Sequence, residues 1–446
     1  MHHLKSRAAR WAGVAAVLAA ASGCKDILAV QNPQAFTNEA ANSAVLLPAV
    51  AAGAEGDFQI SLSNISVFNG MMSDEFWHTG TWSDWLDVSK GNVRANWPIN
   101  NANSFMSAQN LLLRARGTAE NASQRFLSVM GDTARTSPLF VTSQMARAWS
   151  DLYIALSICQ APASAGGALV SDTVLFKQAA DSFAALLPII QGARYAKASD
   201  KQDRLNQANA ALARANLMVG DYAKALQYAQ AVPQGFLYNA VFSTNSGFQN
   251  NTMAGQGNAN YNRSFSIRGI WQAQIDTING FLRDPYSGQN DPRIPLGHDN
   301  NNAKGYDRGS DGVTKFYSGN KYTSYGSPIA ISKSAEMTLI IAEVRWRQGD
   351  FPAAITAMNV NRTAVGLPPF VLPVTGDVST GVRDLLLQER FAVLFGEGQR
   401  MQDLYRFGLV AQRLGPGRAT KLPLTRTEQL SNPNIGEGKE TCPGIS

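Results

Sequence analysis

Residues 334–366 read SAEMTLIIAEVRWRQGDFPAAITAMNVNRTAVG: a helical run, a Gly-Asp break and a second helical run. In the first run Met337, Ile340, Ile341 and Val344 fall at i, i+3, i+4 and i+7, one apolar face of a helix. Gly349 suits the left-handed position just past a helix end, and Asp350 can cap the helix that follows. Pro352 sits in that helix's first turn, where its missing N–H costs little. The second run offers Ala354, Ile355 and Met358 for burial.

The pattern recurs. Ala213-x6-Gly220-Asp221-Tyr222-x2-Ala225 matches Ala342-x6-Gly349-Asp350-Phe351-x2-Ala354 without a gap. In both copies an alanine-faced helix stops at Gly-Asp and an aromatic opens the next helix. Small alanines let two antiparallel helices approach closely. The expected architecture is mainly α, with tetratricopeptide-like helix pairs forming a helical superstructure.

The rest of the chain divides by texture. A basic start (Lys5, Arg7, Arg10) precedes an apolar run, Trp11–Ala21, that ends Ala21-Ser22-Gly23-Cys24. This is similar to a bacterial lipobox, so 1–23 is expected to be a signal peptide and Cys24 a lipidated N-terminus. Later stretches look too short or too polar to span a bilayer. Residues 24–235 are expected to form an N-terminal helical part, with helices at Ala40–Ala54, Ser104–Arg116, Gln144–Cys159 and Leu175–Ile190. Within it, 57–100 is less regular and holds Trp77, Trp82, Trp85 and Trp97, and Ala161–Ala168 reads as a linker. Residues 236–330 lose helical periodicity and scatter aromatics among Asn, Gly and Ser, which predicts an irregular insertion with short strands rather than plain linker. Residues 331–446 are expected to form a C-terminal helical part and, after Leu422, a coil tail.

Composition excludes several function classes. The 446 residues are 45% hydrophobic and 16% charged, a globular balance. Of the formal +6, three basic residues lie in the expected signal peptide, leaving 36 basic against 33 acidic, or +3. No basic run points to nucleic acid. Beyond that segment the histidines are His78 and His298, from which any Ser-His-Asp triad and most zinc sites would have to be built, and both are expected to be ordinary surface or hydrogen-bonded histidines. Gly255-Gln256-Gly257 follows no strand pattern, so no dinucleotide cofactor is implied. The run from Asp307 resembles a calcium loop loosely, but its twelfth position is Ser318 instead of Glu, so no metal is expected. Cys159 and Cys442 are a candidate disulfide in an oxidising envelope.

Five motifs then run in order. They are Asp291-Pro292-Arg293-Ile294-Pro295, Ala335-Glu336-Met337-x-Leu339-Ile340-x-Ala342-Glu343 and Asn359-x-x-Arg362-x3-Gly366-Leu367. After these come Leu387-x-Glu389-Arg390-x6-Glu397-Gly398-x-Arg400-x2-Asp403-Leu404-x-Arg406-x-Gly408 and Leu422-Pro423-Leu424-x3-Glu428-x3-Asn432-Pro433. Behind a lipobox, this succession resembles the SusD/RagB family of outer-membrane nutrient-uptake lipoproteins. The motif residues Arg293, Glu336, Asn359, Arg362, Glu389, Arg390, Glu397, Arg400 and Asp403 are expected to be framework, because charges beside apolar helix faces must be paired. Glu389 and Glu397 could suggest glycoside hydrolysis, but the adjacent arginines are expected to lower their pKa values, the wrong direction for a general acid.

The resemblance implies a non-catalytic binding protein, lipid-anchored at the outer membrane. It would act as a surface lid over a TonB-dependent transporter of SusC type, capturing an oligosaccharide or other nutrient. Candidate ligand contacts are Trp77, Trp82, Trp85, Trp271, Tyr286, Tyr317 and Tyr322, whose rings could stack on sugar faces. The rival reading is a repeat scaffold that binds envelope proteins. A Cys24→Ser variant is expected to move from the membrane pellet to the soluble fraction; retention in the pellet on fractionation would remove the tether.

Overall fold

A computed structural model describes residues 42–93, 105–297, 308–373 and 375–436. The lipobox, Cys24, Trp97, His298 and Cys442 lie outside the described residues. The elements from Leu47 onward are α1 (Leu47–Met72), β1 (Phe76–His78), α2 (Ser83–Lys90), α3 (Phe105–Met130), α4 (Pro138–Ser157), β2 (Gln160–Pro162), β3 (Leu169–Ser171), α5 (Asp172–Gly192), α6 (Ala198–Val219) and α7 (Tyr222–Gln230). A strand-bearing stretch follows: β4 (Leu237–Ala240), α8 (Thr252–Gly257), β5 (Phe265–Ile267), β6 (Ile275–Asp276), β7 (Phe281–Arg283), β8 (Asn290–Gly297), β9 (Ser318–Gly319) and β10 (Ile329–Lys333). Helix returns with α9 (Ser334–Arg347), α10 (Phe351–Ala364), α11 (Val378–Leu394), α12 (Arg400–Arg406), α13 (Val410–Leu414) and α14 (Arg426–Ser431).

The fold is mainly α, and its helix pairs turn as the repeat predicts. Gly220 (φ +83°) and Gly349 (φ +78°) occupy the left-handed region, where a side chain is disfavoured. Asp221 and Asp350 each accept a backbone N–H three residues on, at 3.1 and 3.2 Å, capping α7 and α10. The two copies pack on each other: Ala210, Ala213, Leu217, Ala225 and Ala229 meet Met337, Ile340 and Val344 in one buried cluster. A second cluster joins α9, α10 and α11 through Leu339, Ala354, Met358, Val382 and Leu386. The main core is built on α1, α3, α4 and α5, with Phe58 stacked on Trp149 at 6.4 Å.

Three expectations change. The helix expected at Ala40–Ala54 runs as α1 to Met72, into the stretch read as less regular. Buried polar residues broke the apolar period there: Ser61 Oγ donates to the Phe58 carbonyl (2.7 Å), and Asn69 Nδ2 donates to Ser157 Oγ (2.9 Å). The expected linker at 161–168 is a hairpin, β2 antiparallel to β3. Finally, α5 has the length and hydropathy of a membrane-spanning helix, against the expectation that no later stretch does. Its stripe of Leu175, Phe176, Ala179, Phe183, Leu186 and Ile190 is buried in the helical core, while Lys177 and Asp181 pair on its outer face.

The motif charges lie inside this frame. Arg362 is fully buried and donates to Asp284 (2.7 Å), to Glu389 (3.4 Å) and to the Pro368 carbonyl (2.8 Å). Arg293 joins Asp291 (2.7 Å) to Glu389. Arg214 forks onto Glu336 with both bonds at 2.6–2.7 Å, and Arg400 forks onto Asp74 at 2.6 and 2.8 Å. Arg406 binds Glu343 (2.6 Å) and Asp403 (2.9 Å), and Arg390 binds Asp403 (2.8 Å). Against the pull of burial, Arg406 holds the Glu343 carboxyl down at about 2, and Lys321 and Lys333 hold Glu397 low. Asn359 closes the α10 exit with two bonds to the Phe370 backbone (2.7 and 2.9 Å). Replacing Arg362 by Met leaves Asp284 and Glu389 buried with one partner fewer each. The expected loss is about 3–5 kcal/mol of stability, read as a lower urea midpoint; a loss under about 1 kcal/mol would show the web to be inessential.

Candidate functional site

β1 and β5 form a two-stranded antiparallel ribbon, with Phe76 opposite Ile267, Trp77 opposite Ser266 and His78 opposite Phe265. Alternation sends Phe76 and His78 inward and leaves Trp77 half-buried on the outer face. Phe76 is anchored by Phe265 (4.7 Å) and Phe395 (5.4 Å). Arg268 N–H donates to the Glu75 carbonyl (2.9 Å), extending the ribbon, and its guanidinium lies 4.8 Å from the centre of the Trp77 ring. Ser266 Oγ bonds both ends of Tyr317's backbone, accepting from its N–H (2.7 Å) and donating to its carbonyl (3.2 Å). That clamp sets Tyr317 beside the ribbon.

Between these elements opens a cleft of about 420 Å³, lined by Trp77, Thr79, Arg268, Ile270, Gln272, Thr314, Lys315 and Tyr317 among others. Ile270, 54% exposed, also borders a second cleft of about 380 Å³ with Trp271, Gln274, Leu387, Gln388, Arg400 and Arg413. Trp271 stacks on Phe391 (4.4 Å) and donates its Nε1–H to the Asp74 carbonyl (2.7 Å), which fixes its ring at the rim. Both clefts mix aromatic and aliphatic walls with a few polar groups, the composition of small-ligand sites.

The seven candidate aromatics separate. Trp77 and Tyr317 share the first cleft, and Trp271 lines the second. Trp82 is half-buried, stacked on His78 at 6.3 Å. Tyr286 sits elsewhere, edge-on to Phe370 (4.9 Å) with its hydroxyl accepting from Val371 N–H (3.2 Å). Trp85 and Tyr322 correct the expectation of ligand contact, because each ring is inside the protein. Trp85 is 3% exposed between Phe68 and Trp82, and Tyr322 is 6% exposed with its hydroxyl on the Gly396 carbonyl. Arg268, Ile270, Gln272 and Lys315 were not singled out from sequence. The signal was present in Arg268-Gly269-Ile270-Trp271, an apolar pair after a break, and in the alternation Lys315-Phe316-Tyr317.

The framework carboxylates do not reach these clefts as acids. Glu389 is fully buried between Arg293 and Arg362; burial pushes its carboxyl up against their pull, the reverse of the direction expected from sequence. Beneath the ribbon, His78 is lowered to about 4 by burial, and its Nε2 accepts from Trp82 N–H (3.2 Å). Among the described residues no cluster suited to a metal ion occurs.

The sequence profile of the SusD family matches residues 229–439. This stretch, just under half of the chain, is similar to the SusD family. Solved structures with the same fold include a SusD superfamily protein from Bacteroides thetaiotaomicron VPI-5482 (14% identity, TM-score 0.64, covering 89% of this chain and 98% of that one). A SusD-like carbohydrate binding protein from Bacteroides vulgatus ATCC 8482 aligns at 15% identity and TM-score 0.57, over 81% of this chain and 83% of that one. A laminarin binding SusD-like protein aligns at 15% identity and TM-score 0.56, over 88% and 99%. No curated protein sequence matches the chain. The profile spans the strand-bearing stretch and the late helix pair, whereas Trp77 precedes it.

Glu75 lies directly under the ribbon. It is fully buried, with one oxygen accepting from Gly396 N–H (2.9 Å) and the other unpartnered among the described residues, and burial raises its carboxyl to about 8. The folded state therefore keeps a proton that the unfolded chain, with an ordinary value of 4.5, has released. Its contribution to stability is complete below pH 4.5 and is lost as pH rises to about 8. A Glu75→Gln variant is expected to flatten that decline; parallel pH profiles of the urea midpoint for variant and parent would contradict the assignment.

Proposed function

We propose that the chain is a member of the SusD family and a non-catalytic saccharide-binding lipoprotein of the outer membrane. It is tethered through Cys24 and works as surface lid and capture partner of a SusC-like TonB-dependent transporter. The observation that carries the binding role is the placement of Trp77 and Tyr317 in one cleft, each positioned by the β1–β5 ribbon, with Trp271 at its neighbour. Rings fixed by strand pairing present a preformed stacking surface, which spares the ordering cost of binding. The family, and the carbohydrate and laminarin binding named for two structures of this fold, support the ligand class.

The burial of Glu389 and Glu397 among basic partners supports binding over hydrolysis. The rival scaffold role calls for an open helical groove. Here the copies of the repeat bury their faces against each other, which favours the lid reading. We also assign Cys159 and Cys442 as a disulfide clamping the tail to the helical body. Supporting it, the Leu422 carbonyl accepts from Cys159 N–H (3.1 Å), and Asn432 and Asn434 donate to the Gly167 and Gly166 carbonyls (2.9 and 2.7 Å). Alkylation of both thiols without reductant, read by mass spectrometry, would refute the pairing.

Calorimetry on the lipid-free chain should show saccharide binding with no release of shorter products. Trp77→Ala and Tyr317→Ala are each expected to weaken it roughly tenfold or more. Pull-down from outer membranes should recover a large barrel protein; recovery of periplasmic proteins alone would count against the lid.

A further inference from the structure

The fold matches its inward-facing arginines with acids almost everywhere. Arg214, Arg362, Arg390, Arg400 and Arg406 each meet Asp or Glu. The Trp77 cleft is different. Its wall carries Arg268 and Lys315, and among the described residues no carboxylate lines it. Arg268 Nη1 donates only to the carbonyls of Ser73 (2.9 Å) and Ser89 (3.1 Å), and no acid among the described residues lies within ion-pairing distance. Asp74, the carboxylate whose charge acts on it, is already forked by Arg400. Asp311, on the turn before Lys315, spends its oxygens on Val313 N–H, Thr314 N–H and the Thr314 hydroxyl.

A second guanidinium crowds the first. Arg418 Nη2 donates to the same Ser89 carbonyl (3.0 Å) and to the Met72 carbonyl (3.1 Å); among the described residues no acid is in reach and its buried Nε has no partner. Burial, and then the charge of Arg268, lower Arg418 to about 10. Two half-buried like charges that converge on one carbonyl repel, and an anion brought to the cleft relieves that repulsion.

We propose that this cleft selects an anionic saccharide, whose carboxylate or sulfate group is held by Arg268 and Lys315 while its ring stacks on Trp77. This rests on the reading of the cleft as a saccharide site. Lys315 lies 5.3 Å from the Tyr317 ring, so the two cations flank the two aromatics. The arrangement suits a ligand with an apolar ring face and a charged substituent at its edge.

Calorimetry on the lipid-free chain would compare three oligosaccharides of matched length: a neutral β-glucan, an oligogalacturonate and a sulfated β-glucan. At least one anionic probe should bind about tenfold or more tighter than the neutral one, and the advantage should shrink at high salt. Which anionic arm wins identifies the group. Lys315→Gln and Arg268→Gln should each weaken the anionic probe more than the neutral one. Lys315 is exposed, so its variant keeps the test alive should Arg268→Gln fail to fold. Equal or tighter binding of the neutral probe overturns anion selection and leaves the saccharide site standing. Failure of all three probes, or binding insensitive to Trp77→Ala, overturns both.

Discussion

The contact on which most of the structure depends is Arg362 against Asp284 and Glu389. Asp284 follows β7, Arg362 lies near the end of α10 and Glu389 on α11, so one buried guanidinium ties the strand-bearing stretch to the late helices. Gln388 donates to the same Asp284, and Arg293 brings Asp291 to Glu389, which draws β8 into the web. Buried ions carry a desolvation cost of several kcal/mol each. They are retained here as a mutual set in which removing one charge strands two others. The web makes the long excursion from β4 to β10 part of the helical body.

The same logic reaches the ligand face from below. Arg400, just after the Gly396–Gly398 turn, grips Asp74 immediately ahead of the ribbon, and Glu75 accepts the Gly396 N–H. The Asp74 carbonyl receives Trp271, and the Glu75 carbonyl receives Arg268. Two adjacent acids thus position four groups: two inside through their carboxylates, two at the surface through their backbone. The wall of the cleft inherits the stiffness of the core, although it is built from irregular chain.

Much of the frame was legible in sequence because its signals are local. Gly-Asp breaks, alanine spacing and the order of the charged motifs foreshadow the helix pairs, and the need to pair charges beside apolar positions marks Arg362, Glu389 and Arg400 as framework. The full length of α1 was hidden because Ser61 and Asn69 face inward and satisfy their polar groups there, which erases the apolar period. The direction of Glu389's shift was hidden too: sequence shows the neighbouring arginines but not the depth of burial that outweighs them. The ligand face was only half visible. Aromatic identity is local, but Trp77 faces out through the pairing of β1 with β5, nearly two hundred residues apart, and Trp85 is turned in by packing of α2 on Phe68 of α1.

Strand alternation on that ribbon separates two jobs within adjacent residues. Phe76 and His78 serve the interior, and Trp77 between them serves the cleft. Ser266 stands opposite Trp77 and its hydroxyl bonds the N–H and carbonyl of Tyr317, so the clamp is indifferent to the side chain it holds out. The recognition surface can therefore be re-dressed position by position while the interior stays untouched. A scaffold of this kind can diversify its cargo by exchanging a handful of outward residues, without rebuilding the body that carries them.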